Sequence, residues 1–206
     1  MTRSIVAALA IAIVPACTGS GTTTIEPDDP VGDTQDEGFA KGVALADHAS
    51  DELSGDDYLV IIGKTASILA ALNDGEIDQA SFAIQVVDAD DVFQFANDLI
   101  IDHEDLNLDL DSVVRFYGVG YLPSSAADAL AGDLGSGVAE LRATPPGDVD
   151  FVFVELQVIN HAEAQVLLDE LSVQVGPGAM GDYIADVSAT VDLHLGESSA
   201  LLDTFY

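Results

Sequence analysis

Apolar residues recur at helical intervals through four long stretches of the chain. From Asp57 to Val87 they fall at Ile62, Leu69, Leu72, Ala80, Ala83 and Val87, and from Asp91 to Tyr117 at Val92, Ala96, Leu99, Leu106, Leu110 and Val113. From Val149 to Val175 they fall at Val154, Val158, Leu168 and Leu171. From Ala179 to Phe205 the stripe runs Ile184, Val187, Val191, Ser198 (polar) and Leu201. Steps of three and four, or sums of these, place each set on one face of a helix. Strand signals are weak. Four helices of about 25–30 residues would each be about 40 Å long, and the pattern predicts an all-α fold, an antiparallel four-helix bundle.

The connections agree with that topology. Asp88-Ala89-Asp90 is a short turn, which makes the first two helices antiparallel neighbours. Gly176-Pro177-Gly178 stops the third helix and starts the fourth. Between the second and third lies a long connection, Gly118 to Asp148. In it Leu122-Pro123-Ser124-Ser125 offers a serine cap for a short helix running to about Arg142, before Thr144-Pro145-Pro146-Gly147-Asp148. Phe39 to Leu53 is weakly helical and is expected to pack as an N-terminal extra helix; residues 39–206 then form one domain.

The N-terminal segment reads as an address. Arg3 gives a positive start, Ile5 to Val14 is an unbroken apolar run of ten residues, and Val14-Pro15-Ala16-Cys17 follows. Such a run suits a signal peptide and is too short to span a bilayer. The sequence around Cys17, the only cysteine, resembles the lipobox of bacterial lipoproteins. Residues 1–16 are therefore expected to be removed and Cys17 to carry a lipid that anchors the chain to a membrane. Thr18 stands where an aspartate would signal inner-membrane retention, which directs the expectation to the bacterial cell envelope, at the outer membrane or its periplasmic face. Residues 17–38, rich in Thr, Gly, Ser, Pro and Asp, read as a flexible acidic tether.

Charge narrows the possibilities. There are 37 acidic residues against 5 basic ones, a formal charge of −32, with aspartate outnumbering glutamate 27 to 10. A nucleic-acid partner is excluded for want of a basic face. The acid is spread evenly, as on a protein adapted to high salt, and a fold strengthened by salt is expected. With 49% apolar residues the chain has material for a sizeable core, and a single cysteine rules out a disulfide framework or a cysteine-based zinc site.

Three of the four histidines occupy stripe positions where leucine would be ordinary: His103 between Leu99 and Leu106, His161 between Val158 and Leu168, His194 between Val191 and Leu201. On the first helix Glu76 takes such a position. Glu76 lies 13 residues before Ala89 at the centre of the first turn and His103 lies 14 after it; His161 lies 16 before Pro177 and His194 lies 17 after it. Counted in this way, the four groups share one layer. Uncompensated ionisable groups in a core cost several kcal/mol, so they are expected to hydrogen-bond one another or hold an ion. Three imidazoles and a carboxylate suit zinc, iron or copper. The competing reading is a metal-free structural layer in which Glu76 accepts from the histidines. His48, outside the pattern, reads as solvated, as do Asp102 and Glu155.

Other chemistries find no support. No histidine follows a glutamate at the spacing used by di-iron bundles. No serine sits in a nucleophile elbow, and Gly132-Asp133-Leu134-Gly135-Ser136-Gly137 does not follow a strand, as a phosphate-binding loop would. An enzyme is the least supported class, and no catalytic residue is assigned.

Asn73-Asp74-Gly75-Glu76-Ile77, Phe95-Ala96 leading to Leu99-Ile100 and Asp102-His103, Tyr121-Leu122-Pro123, Asp150-Phe151, Gln157-Val158-Ile159-Asn160-His161 and His194 follow one another in the order of a known pattern. They resemble the DUF4142 domain over roughly residues 57–203. The resemblance implies a ferritin-like helical fold in a secreted or lipid-anchored bacterial protein, with Glu76, His103, His161 and His194 as the recurring positions and no settled activity. The chain departs from the pattern in its acidity and in Asp150-Phe151, where the family tends to have the reverse order. Together these readings describe a lipid-anchored envelope protein with a Glu/His layer that binds a metal ion. The alternative is a structural or interaction module of the envelope.

Overall fold

The computed structural model describes residues 30–206. The expected signal peptide, Cys17 and most of the expected tether lie outside the described residues.

The described residues form six α-helices: α1 (Pro30–Leu53), α2 (Tyr58–Ala83), α3 (Asp90–Tyr117), α4 (Ser125–Ala143), α5 (Val149–Val175) and α6 (Ala179–Leu202). No strand occurs among them, and no helix is long and apolar enough to cross a membrane. The periodicity located α2, α3, α5 and α6. The serine cap and the expected end near Arg142 placed α4 to within a residue, whereas α1, with 24 residues, is longer than the expected 39–53. Residues 30–38, read as tether, belong to α1, whose first residue is a proline with φ already set for a helix. At the other end of the first hairpin α2 stops at Ala83, four residues short of the expected Val87. The amides of Val86 and Val87 both bond the Ala83 carbonyl, which tightens the chain into the turn.

Local chemistry explains the sharpest boundaries. Ser124 caps α4 by accepting from the Ala127 amide at 3.1 Å. Gly118 ends α3 in the left-handed region at φ +67°, a conformation glycine adopts without a Cβ penalty. Asp150, at the start of α5, accepts from the amides of both Asp88 and Ala89 at 2.9 Å, tying the α2–α3 turn to the base of α5.

Helix α2 packs on α3, α4 and α5; α6 packs on α5 and α3; α1 lies against α5. The approach of α4 to α2 depends on two glycines. A Cβ on Gly75 would collide with the Leu134 side chain, and one on Gly137 would come within 2.7 Å of the Gln79 amide.

The core is divided. One apolar cluster contains Leu69 and Leu72 of α2, Leu106 and Leu110 of α3, Leu167, Leu168 and Leu171 of α5, and Val187 and Val191 of α6. The other contains Ala80 and Ala83 of α2, Phe95 and Leu99 of α3, Phe153 and Val158 of α5, and Leu202 of α6. On each of these four helices the sequence between the two clusters supplies buried polar groups: Glu76, His103, His161 and His194. A polar layer thus separates two greasy ones.

Candidate metal centre

The four residues singled out from the sequence are all buried, none more than 1% exposed. The structure brings three of them together. His103, His161 and His194 each offer one ring nitrogen, and these nitrogens lie within 4.8 Å of one another. Their ring centroids are 5.3 to 6.3 Å apart. Glu76 occupies the same layer but is not a member of that mutually close set.

The expectation that these groups would hydrogen-bond one another is not met. Each ring bonds outward instead. His103 Nδ1 meets Asn73 Oδ1 at 3.1 Å, His161 Nδ1 meets the Gln157 carbonyl at 2.7 Å, and His194 Nε2 meets Asp102 Oδ2 at 3.0 Å. A carbonyl and a carboxylate can only accept. Asn73 spends its NH₂ on Asn107 Oδ1 and the Tyr183 hydroxyl, so its oxygen faces His103. Each histidine therefore carries its proton on the outward nitrogen. The other nitrogen of the neutral ring is a bare lone pair, and His103 Nε2, His161 Nε2 and His194 Nδ1 have no partner.

Burial keeps the His103 and His161 rings neutral. Burial is the main reason the His103 imidazole lies well below its ordinary pKa, with His161 and His194 adding to the effect. Burial also pushes His161 down to about 3, with neighbouring His194 contributing and the Gln157 carbonyl opposing. Glu76 moves the other way. Burial raises its carboxyl to about 8, helped by the charge of Glu163. The Gln157 and Asn160 amides lie near enough to oppose this. Both direct an N–H to Gln79 Oε1, and neither completes a hydrogen bond to Glu76, whose two oxygens are unpartnered.

Several residues of this layer escaped the sequence reading. Asn73 and Gln79 stand one turn either side of Glu76 on α2 and are fully buried. Gln79 accepts from Gln157 and Asn160 and donates to the Leu134 carbonyl at 2.9 Å, a contact permitted by the glycine-mediated approach of α4. Asp102, read as solvated, is instead the partner of His194. Helical spacing was the available signal: Asn73, Glu76 and Gln79 repeat every three residues, as do Gln157 and Asn160. His48 is exposed and meets the Ser125 hydroxyl at 3.2 Å, apart from the layer.

A family model described as "Domain of unknown function (DUF4142)" matches residues 61–201. The chain belongs to the DUF4142 family. That span takes in the whole polar layer, and the DUF4142 match confirms the resemblance drawn from the short motifs. No curated protein and no solved structure matches this DUF4142 chain.

The donor set fits a transition-metal ion. Three imidazoles each hydrogen-bonded from behind by an acceptor are the arrangement metal-binding histidines adopt. Buried ring nitrogens without a partner are costly, and a bound cation would satisfy them.

Proposed function

We propose that this DUF4142 protein is a lipid-anchored component of the bacterial cell envelope whose polar layer binds one transition-metal ion, zinc, iron or copper. The observation that carries the metal reading is the trio of unpartnered nitrogens on His103, His161 and His194. Glu76, in the same layer but outside the close histidine set, is the candidate fourth ligand in this reading. Its carboxyl is fully buried with neither oxygen hydrogen-bonded, and ligation of a dication would supply the missing partner. Helices α2, α3, α5 and α6 serve as a ferritin-like antiparallel four-helix bundle, with α1 and α4 packed outside it. Bound metal would supply Lewis-acid or redox chemistry; the protein side of the site keeps His103 and His161 neutral and buries all four side chains.

Elemental analysis of the purified full chain, beside a His103→Ala variant, tests the metal. Near-stoichiometric metal in the parent and none in the variant is expected; equal content in both would refute the reading. The anchor rests on Arg3, the Ile5–Val14 run and Val14-Pro15-Ala16-Cys17. Cys17→Ser should abolish lipidation and membrane association.

A second reading, an envelope structural module in which the layer only fixes helix register, is favoured by the satisfied amides of Asn73 and Gln79. It expects no metal in either protein.

A further inference from the structure

The three rings are held from behind by three different kinds of acceptor on three different helices. His161 leans on the carbonyl of Gln157, one turn back in its own helix, so its orientation is built into α5 itself. His103 and His194 depend on side chains instead, and both can be altered without changing a ligand.

We infer that Asn73 and Asp102 are positioning residues of the metal centre, fixing His103 as the Nδ1–H tautomer and His194 as the Nε2–H tautomer and so selecting the nitrogen each ring offers to an ion. The functional part of this inference rests on the metal reading above; the tautomer assignment rests on the hydrogen bonds alone.

Asn73 is clamped. Its NH₂ donates to Asn107 at 2.9 Å and to the Tyr183 hydroxyl at 3.2 Å. Asn107 in turn donates to Asp74, and Tyr183 donates to the Leu106 carbonyl. Flipping the Asn73 amide would break two hydrogen bonds and set N–H against N–H at His103. Its oxygen is therefore fixed toward the ring.

Asp102 acts across an interface. It precedes His103 on α3, but reaches α6 to accept from His194 at 3.0 Å. Its side chain is 42% exposed while that of His194 is 1% exposed, so the pair joins the buried centre to the surface. A carboxylate behind a metal-binding imidazole raises its basicity as well as orienting it. The result is a mixed donor set: Nε2 from His103 and His161, Nδ1 from His194. Without its acceptor, a ring is free to take the other tautomer, which directs an N–H at the ion and cannot coordinate.

Two measurements on the full chain test this. In metal-free protein labelled with ¹⁵N-histidine, two-bond ¹H–¹⁵N correlations should report Nδ1–H for His103 and His161 and Nε2–H for His194. In Asp102→Leu the His194 signals should shift toward Nδ1–H. Cobalt(II) titration of Asp102→Leu and Asn73→Leu should show binding weakened by about 10–100-fold with altered d–d bands. Asp102→Asn and Asn73→Asp, which keep an acceptor oxygen, should recover part of the loss. Asp102 is half-exposed, so Asp102→Leu should melt close to the parent without metal and remains informative if Asn73→Leu does not fold. Nδ1–H at His194 in the parent overturns the inference. So does cobalt(II) binding by Asp102→Leu within about twofold of the parent with unchanged bands; in that case the metal reading survives. If the parent shows the stated tautomers yet takes up no cobalt(II), the metal reading fails and the positioning role falls with it.

Discussion

Asn73 and Gln79 differ instructively from the group between them. All three lie on one face of α2, fully buried in the same polar layer. Asn73 has filled both ends of its amide, and Gln79 accepts twice and donates once, so these two residues bind helices together unaided. Glu76 has no partner on either oxygen, and the three histidines opposite are each half-satisfied. The amides act as internal fasteners. The carboxyl and the imidazoles keep hydrogen-bonding capacity that no neighbouring side chain uses. Polar burial is thus not one phenomenon here: at the same depth one part of the layer is fully hydrogen-bonded and its neighbour is not.

The largest expected effect breaks the fastened side. Gln79→Leu would strand the Gln157 and Asn160 amides and the Leu134 carbonyl, and groups left in this way cost about 1–3 kcal/mol each before relaxation. A loss of roughly 3 kcal/mol or more in urea unfolding is expected. A loss under about 1 kcal/mol would show that water or rearrangement replaces those bonds.

Next comes the pH dependence of the metal-free protein. Glu76, raised to about 8, keeps its proton in the fold, whereas the unfolded chain releases it near the ordinary carboxyl value of about 4.3. The folded state thus binds more protons across that window. The corresponding stability is fully present below it and is lost as pH rises through about 8. Glu163, pushed up to about 7 chiefly by burial, contributes in the same direction over a narrower window. His161, lowered to about 3, has the opposite sign. Its contribution is present above the unfolded value of about 6.5 and is lost as pH falls toward 3. Between pH 6.5 and 8 the buried glutamates act without the histidine. Stability should fall there by up to about 1.4 kcal/mol per pH unit for Glu76, and Glu76→Gln should flatten the slope. An unchanged slope in chelator-treated protein would mean that Glu76 is ionised in the fold.

A smaller effect separates ligand from fastener. His161→Leu removes a half-satisfied group and replaces it with an apolar one, so metal-free stability should stay within about 1 kcal/mol of the parent or rise. The same variant should lose any stabilisation by added metal, which in the parent amounts to about 2.7 kcal/mol at a hundredfold excess over Kd. A large loss in the metal-free protein would place His161 among the fasteners.

The smallest expected effect is global. Raising NaCl from 0.1 to 1 M shortens the Debye length from about 10 to about 3 Å. Self-repulsion in a chain of charge −32 should weaken, and the melting temperature should rise. A fall would point to specific ion pairs, of which Lys64 with Asp56 at 2.7 Å is the tightest among the described residues.

Taken alone, the sequence determined the helices and the depth of the layer. A period of 3.6 residues is a local property, so the stripes located α2, α3, α5 and α6, and counting from two short turns set Glu76 and the histidines between the same apolar clusters. Asn73, Gln157 and Asn160 were visible in the family motifs, yet their roles were not. Their side-chain partners lie 30 to 110 positions away, and no local pattern encodes which amide meets which ring. Tertiary packing decided the rest. It turned Asp102 across to His194. Above all it sent every histidine hydrogen bond outward, because each ring found its acceptor on a neighbouring side chain or its own helix backbone before it could reach another ring. That choice left one nitrogen of each of three neighbouring rings without a partner.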